Sequence, residues 1–152
     1  MKSLSLLQGG SIMYQEFQKD NFIISTDPSK LNIDDICSML SNSYWANKRP
    51  KEVIERSINC SLCYGIYCQE KQVGLARVIT DYSVFAYLCD VYIDNNYRGC
   101  GLGKWLLSCI MSNPELKSVK KWTLCTRDAH KLYRKFGFTQ LSYPDIYMEK
   151  IS

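Results

Sequence analysis

Three glycines, Gly99, Gly101 and Gly103, lie where a β-branched run gives way to an amphipathic helical pattern. The run ends at residues 91–93, and the helical stripe continues over residues 106–111. Glycines in such a turn allow several backbone N–H groups to point into one small volume, and the helix N-terminus adds the positive end of its dipole. This combination suits a pyrophosphate. A turn that merely needs glycine explains the three positions equally well.

Two common phosphate-binding motifs are excluded by the residues that follow the glycines. A Walker A loop requires Ser or Thr after Gly-Lys, whereas Gly103-Lys104 is followed by Trp105. A dinucleotide fingerprint requires a third glycine at the place of Lys104, and an acidic residue at the end of the next parallel strand. Neither motif fits this chain.

A different signature does fit, and it is supported by a second motif further along the chain. Arg98-x-x-Gly101-x-Gly103 resembles the Gln/Arg-x-x-Gly-x-Gly/Ala signature of the GCN5-related N-acetyltransferase (GNAT) family. Residues 129–138 resemble the family's Ala-x-x-Leu-Tyr-x-x-x-Gly-Phe motif. The resemblance covers about residues 20–150, and the first half matches in pattern rather than in motif.

The resemblance implies that acetyl-CoA binds as co-substrate, without a metal, between two splayed parallel strands. Those strands would be residues 88–93 and 122–126. The first strand would pair with the pantetheine arm, and the N–H groups after it would hold the pyrophosphate. Thr126 replaces the Asn of many family members, which puts the side-chain contact to pantetheine in question. The expected cofactor-binding residues are Val91, Tyr92, Ile93, Arg98, Gly99, Cys100, Gly101, Leu102, Gly103, Lys104 and Thr126.

Tyr133 is the candidate general acid. Helical spacing places Tyr133 on one stripe with Ala129, Leu132 and Phe136, so periodicity alone favours a tyrosine packed in the core. The resemblance implies instead that its hydroxyl protonates the departing coenzyme A thiolate. A phenol can supply that proton because the thiolate is strongly basic in a poorly solvated site.

Asp90, on the cofactor strand, is the candidate general base, because partial burial would raise its pKa towards a useful range. The alternatives are a solvent-facing acid or a structural partner of Arg77. Asp81 is a weaker candidate. His130, the single histidine, is expected to be exposed or to cap a helix.

The family mechanism implies direct attack of a neutral amine on the acetyl thioester in a ternary complex. A backbone N–H of Tyr92 or Ile93 would stabilise the oxyanion. Cys89 and Cys125 lie on the two splayed strands and leave a covalent route open, although no partner histidine is evident.

The resemblance implies that the acceptor is an amine of a small molecule or peptide, and the sequence does not separate a polyamine, an aminoglycoside, an amino acid and a protein N-terminus. Tyr44, Trp45 and Tyr82 are the candidate pocket residues. Tyr44 and Trp45 would serve equally well as a plug at the end of the core.

The main rival function is a non-catalytic acyl-CoA sensor of the same fold. A nucleic-acid binder is disfavoured because the aromatic residues follow core patterns and do not alternate with basic residues. We therefore expect an acyltransferase with neither a nucleic-acid nor a membrane partner, present as a monomer or homodimer.

The elements that must position these residues are strands in the first half and a βαβα order in the second. Strands are predicted at residues 22–25, 62–68, 73–80, 84–93, 122–126, 138–141 and 146–151. Helices are predicted at 31–43, from Pro50, after Gly103 and up to Gly137. The predicted class is α/β (α+β), with a GNAT-like mixed sheet of six to seven strands and about four helices.

Charge and cysteine content place the chain in a broad class. Residues 1–76 carry eight basic and eight acidic side chains, whereas residues 77–152 carry eleven and seven, so an anionic partner is expected on the second half. The eight cysteines follow apolar patterns, which favours free thiols in a reducing cytoplasm over disulfides or a Cys60/Cys63 zinc site. Residues 1–13 are read as a flexible tail or expression remnant, and residues 14–152 as one domain.

Overall fold

Seven strands form one sheet in which neighbours along the chain are neighbours in space, within residues 3–4 and 13–152, the part described by this computed structural model. The first six strands pair antiparallel, and the last pair is parallel. The strands are β1 (Ser3–Leu4), β2 (Glu16–Lys19), β3 (Phe22–Ser25), β4 (Leu62–Cys68), β5 (Lys71–Thr80), β6 (Phe85–Ile93) and β7 (Lys121–Thr123).

The α-helices of the described part are α1 (Ile33–Ser41), α2 (Lys51–Asn59), α3 (Leu102–Met111) and α4 (His130–Arg134). Asn32 is the N-cap of α1, and its side chain accepts a hydrogen bond from the backbone N–H of Asp35. Gly101 precedes α3 in the left-handed conformation, with φ of 80°, which a residue with a Cβ rarely adopts. None of the helices in residues 13–152 is both long and apolar enough to cross a bilayer.

Helices pack on both faces of the sheet and give it two cores. On one face, α3 packs its apolar stripe, including Leu106, Leu107 and Ile110, against β4–β6. On the other face, α1 and α2 enclose a smaller core that includes Leu40 and Ile54. Burial of these apolar stripes is what fixes the helices relative to the strand ends.

The parallel strands β6 and β7 are paired only at their beginnings. Three residue pairs, Phe85 with Lys121, Ala86 with Trp122 and Tyr87 with Thr123, make up the whole contact. β6 continues to Ile93, still paired with β5 on its other side, whereas β7 ends at Thr123. One edge of β6 after Tyr87 therefore has no strand partner within the described residues.

A β-bulge at Asp90 reverses the facing of the side chains along β6. The register shifts between Leu75 and Arg77 of β5, and Asp90 has a φ of 49°. Before the bulge, Leu88 belongs to the α3-side core; after it, Tyr92 belongs to the α1 and α2 core. The bulge thus separates the end of β6 that faces the glycine loop from the end that pairs with β7.

The predicted class, the mixed sheet and the splayed parallel pair are confirmed. The predicted strands at 138–141 and 146–151 are wrong: residues 138–152 form no strand, and Pro144 starts a 3-10 turn instead. Proline lacks the N–H that a ladder needs, which accounts for the break between them. β2 was not predicted, and β7 is shorter than the predicted 122–126. Of residues 1–13, the expected tail, only Ser3, Leu4 and Met13 lie within the described part.

Candidate active site

A cavity of about 900 Å³ opens where β6 and β7 separate. It is bordered by the free half of β6, the glycine loop with the start of α3, residues 125–129 with α4, and the loop between α1 and α2. The predicted site residues that line it are Tyr44, Trp45, Asp90, Val91, Tyr92, Ile93, Arg98, Gly99, Gly101, Leu102, Gly103, Lys104, Thr126 and Tyr133.

Two predicted site residues do not line this cavity. Cys100 is exposed and turns its thiol to the backbone carbonyl of Tyr97. Tyr82 lies in the turn between β5 and β6, where its carbonyl accepts a hydrogen bond from Ser118. Asp81 holds the same turn by accepting from the N–H groups of the residues that follow it, so its carboxylate is engaged away from the cavity.

The glycine loop presents open space and free N–H groups to the cavity. A Cβ added at Gly99 or Gly101 would meet nothing within 4 Å, and both residues have positive φ. The first backbone bond of α3 runs from the N–H of Trp105 to the carbonyl of Gly101. The N–H groups of the residues between them have no partner in the helix, which makes this end of α3 suitable for an anion.

Arg98 fixes the path of the chain from β6 into the glycine loop. Its Nε donates to the carbonyl of Ile93 at 2.9 Å, and its guanidinium lies 5.0 Å from the centre of the Tyr92 ring. The loop therefore leaves β6 at a fixed angle while keeping a positive charge at the cavity wall.

Tyr133 lies on α4 and is 9% exposed. Its ring packs edge-on against Phe138 at 5.9 Å, while its hydroxyl makes no hydrogen bond to the described residues. Burial, with smaller contributions from Tyr44 and Asp128, raises the pKa of Tyr133 to about 12. The phenol therefore keeps its proton throughout the neutral and moderately alkaline range.

Asp90 is the centre of a buried ion-pair network. Its side chain is 1% exposed and accepts hydrogen bonds from Arg77 Nε and Arg49 at 2.8 Å each, and from the indole of Trp45 at 3.0 Å. Burial alone would raise the pKa of Asp90, but the hydrogen bonds and charges of Arg77 and Arg49 outweigh it and hold the pKa below the ordinary 3.8. The expected raised pKa is wrong, and the alternative, a structural partner of Arg77, is what the structure shows.

Two aromatic residues of the loop between α1 and α2 form one wall of the cavity. The Tyr44 and Trp45 rings meet edge-on at 4.9 Å, and Trp45 lies 6.3 Å from Tyr92. The Tyr44 hydroxyl accepts from the backbone N–H of Arg127 at 3.0 Å, so the loop between α1 and α2 is tied to the segment after β7. The wall is part of the cavity rather than a plug of the core, since both rings are about 40% exposed.

Comparison with known proteins identifies the family. The sequence model described as acetyltransferase (GNAT) domain matches residues 59–140. The chain belongs to the GNAT family of acetyltransferases. A relative from Gibberella zeae, named "Putative acetyltransferase", is 31% identical over 145 residues, and the alignment covers 80% of each chain.

Solved GNAT structures agree with the fold. One from Xanthomonas campestris pv. campestris, described as belonging to the GNAT family, is 39% identical with a TM-score of 0.84, and covers 89% of this chain and 96% of that one. A GNAT acetyltransferase from Elizabethkingia anophelis, described with acetyl-CoA bound, is 20% identical with a TM-score of 0.62 over 88% of this chain and 90% of that one. This second likeness concerns the fold alone.

The eight cysteines of this GNAT domain are all free thiols: three are exposed, three are partly buried, and two are buried. Burial raises the pKa of Cys89, which lines the cavity, to about 11, so its thiol is protonated at neutral pH. Cys125 also lines the cavity and is exposed. No cluster of three or more possible metal ligands occurs in the described residues. His130 is exposed at the first position of α4, and the cavity lining does not include it.

The sequence did not point to two arginines of the cavity, Arg49 and Arg127. Arg49 precedes Pro50 in a loop without a motif, and only the packing of α1 and α2 on the sheet brings it to Asp90. Arg127 lies 4.3 Å over the Tyr44 ring. Thr126, whose Oγ1 accepts from the N–H of Ala129, holds the turn into α4, while its hydroxyl proton remains free for another contact.

Proposed function

We propose that this GNAT member transfers the acetyl group of acetyl-CoA to a primary amine by direct attack. One observation supports this above the others: the free edge of β6, the open glycine loop and the Tyr133 phenol all border a single cavity. The edge suits an extended amide-containing arm, the loop suits a pyrophosphate, and the phenol suits a departing thiolate.

The residues present fit acetyl-CoA, because Gly99 and Gly101 leave room that a Cβ would fill and α3 offers unpaired N–H groups. We assign the pantetheine arm to Val91, Tyr92 and Ile93. The full set proposed for the co-substrate adds the loop and its neighbours: Arg98, Gly99, Gly101, Leu102, Gly103, Lys104 and Thr126. When bound, acetyl-CoA supplies the activated acetyl thioester.

In the proposed chemistry, the amine nitrogen bonds to the acetyl carbon while the carbon–sulfur bond breaks. The N–H of Tyr92 or Ile93 donates a hydrogen bond to the carbonyl oxygen as it becomes negative. Tyr133 Oη gives its proton to the leaving sulfur and regains one from solvent. The attacking nitrogen loses its surplus proton to water.

We assign Asp90 an anchoring role, in which it holds the side chains bonded to it in place, rather than the role of general base. Its carboxylate is almost fully buried and already accepts three hydrogen bonds, so neither a substrate ammonium nor its proton has access to it. Asp128 is the other carboxylate among the cavity-lining residues described. We propose that the acceptor reacts as the neutral amine present at the working pH.

Two further assignments stay proposals. The free thiols support a reducing compartment such as the cytoplasm. The acceptor pocket is assigned to Tyr44 and Trp45, and Tyr82 is left out because it does not border the cavity.

The test is Tyr133→Phe, which removes the hydroxyl and keeps the ring contact with Phe138. We expect kcat to fall about 100-fold or more, as for loss of a general acid, while acetyl-CoA affinity measured by calorimetry stays within about twofold. Because the pKa of Tyr133 is raised to about 12, wild-type kcat should show no falling limb at the ordinary tyrosine pKa of 10.0.

Tyr143→Phe, at a 71% exposed tyrosine outside the cavity, is the matched control and should keep wild-type kcat. Unchanged kcat in Tyr133→Phe would show that Tyr133 is not the general acid. Tight acetyl-CoA binding with no release of free thiol for any amine would favour a sensor over an enzyme.

A further inference from the structure

We propose that the acceptor carries an anionic group, a carboxylate or phosphate, beside its reactive amine, and that Arg49 binds this group. The inference rests on the proposed acetyl transfer and names the substrate class of the same cavity. It follows from the charges that line the cavity beside the loop between α1 and α2.

The described lining of the cavity is strongly basic. Its acidic members are Asp90 and Asp128, and its basic members are Arg49, Arg77, Arg98, Lys104 and Arg127. Arg98 and Lys104 flank the glycine loop and serve the co-substrate phosphates in the proposed function. A surplus of positive charge remains without these two residues, because Arg49 and Arg77 share the single carboxylate of Asp90.

Asp90 does not offer a site for a cationic acceptor. Its side chain is 1% exposed, and both of its oxygens already accept hydrogen bonds. A second ammonium group on the acceptor would meet the net positive charge of Arg49, Arg77 and Asp90 taken together. In a partly desolvated cavity that repulsion disfavours polyamines and lysine-rich peptides.

Arg49 has the geometry to bind an anion. One of its terminal nitrogens donates to Asp90, and the rest of its guanidinium makes no hydrogen bond within the described residues. The side chain is 24% exposed, against 10% for Arg77, so Arg49 is the more accessible of the two at the cavity surface. A guanidinium held at one nitrogen keeps its remaining donors oriented for a carboxylate or phosphate.

The position of Arg49 relative to the proposed reaction point also fits a small acceptor. Trp45 donates to the same Asp90 carboxylate, and its ring contacts the ring of Tyr44. Arg49 and Tyr133 line the same cavity as these two rings. An acceptor with its amine at Tyr133 and its anion at Arg49 would lie along the aromatic wall.

The experiment compares kcat/KM, per neutral amine, within sets of matched acceptors. The carboxylate set is phenylalanine, phenylalanine amide and phenethylamine; the phosphate set is glucosamine 6-phosphate and glucosamine; spermidine is the polycation. We expect the anionic member of at least one set to exceed its uncharged partner by about 10- to 100-fold, the effect of one charge-assisted hydrogen bond. The set that shows the preference identifies the anion.

Arg49→Gln should reduce that preference to within about threefold of unity, and Arg49→Lys should keep part of it, because charge remains but the fork of donors is lost. The ratio of two acceptors on one variant does not depend on how much of the protein is folded. Arg56→Gln, which removes an exposed charge of α2 outside the cavity, should keep the wild-type ratio.

Three results would overturn the inference. A wild-type preference for spermidine or for the uncharged amines refutes the substrate class, while acetyl transfer stands. An unchanged ratio in Arg49→Gln refutes the role of Arg49. Failure of the wild type to bind acetyl-CoA in calorimetry refutes the proposed function, and the inference falls with it.

Discussion

The substitution Asp90→Asn distinguishes an anchoring role of Asp90 from the role of general base. Asp90→Asn keeps the size and one acceptor oxygen of the side chain but removes its charge. Arg77, with a side chain 10% exposed, would then be a nearly buried cation without a counter-ion, whereas Arg49, at 24%, is freer to turn towards water. Removal of one partner from a buried pair costs about 3–5 kcal/mol. Since Asn still accepts one hydrogen bond, we expect a loss of about 3 kcal/mol.

Urea unfolding followed by tryptophan fluorescence measures this loss, and its pH dependence supplies a second check. The pKa of Asp90 is lower in the folded chain than the ordinary 3.8. Its stabilisation is therefore complete above that value and is lost as pH falls through the folded pKa. The gap in unfolding free energy between wild type and Asp90→Asn should be constant from pH 5 to 7 and narrow below about pH 4.

Asp128→Asn is the matched control, since this carboxylate also lines the cavity but is exposed. It should change the free energy of unfolding by no more than about 0.5 kcal/mol. The anchoring role of Asp90 is refuted if Asp90→Asn lowers the free energy of unfolding by less than about 1 kcal/mol. The behaviour of a general base would also refute the anchoring role. In that case Asp90→Asn would be as stable as the wild type, its kcat would fall about 100-fold, and the pH profile of kcat would lose its acidic limb.

Two other perturbations test the cavity. Gly101→Val should weaken acetyl-CoA binding at least about 100-fold in calorimetry, because a side chain would enter the space proposed for the pyrophosphate. Gly137→Val is the control: its φ of 86° is similarly positive, but it lies outside the cavity and should keep the affinity. Equal losses of affinity in the two variants would mean that backbone strain alone is responsible. Iodoacetamide should label exposed Cys60 and Cys125 faster than buried Cys109, because burial raises the pKa of Cys109 to about 11. Acetyl-CoA should slow the labelling of Cys125, which lines the cavity, but not that of Cys60, which does not. Unaltered labelling of Cys125 would mean that the co-substrate binds elsewhere.

Local sequence signals were sufficient for the glycine loop and the helix that carries Tyr133. The glycines indicated a turn that leads into a helix, where Gly101 takes a positive φ, and the helical spacing placed Tyr133 on a helix. In each case the information lies within a short stretch of chain, in a residue type that its backbone conformation requires or in a helical stripe. The splayed pair followed from the family resemblance rather than from periodicity.

The features that the sequence did not predict, or predicted wrongly, depend on residues that are distant in sequence. Arg77 and Arg49 together lower the pKa of Asp90, and the second of them lies 41 residues away and reaches Asp90 only through tertiary packing. The bulge that puts Asp90 at a φ of 49° leaves no mark in the alternation of a strand whose two faces are both apolar. At the C-terminus, apolar residues such as Met148, 98% exposed, follow a strand pattern but meet no partner strand in the described residues.

The unpaired edge of β6 has a consequence for the solubility of the chain. An open strand edge normally invites the strand of another molecule, and proteins avoid this with charges, bulges or a covering element. Here the edge after Tyr87 lies inside a cavity, bordered by the turn into α4 and the Tyr44–Trp45 wall, and it carries the Asp90 bulge. The recess admits a narrow extended ligand while denying a foreign strand the straight, open run of backbone that aggregation needs.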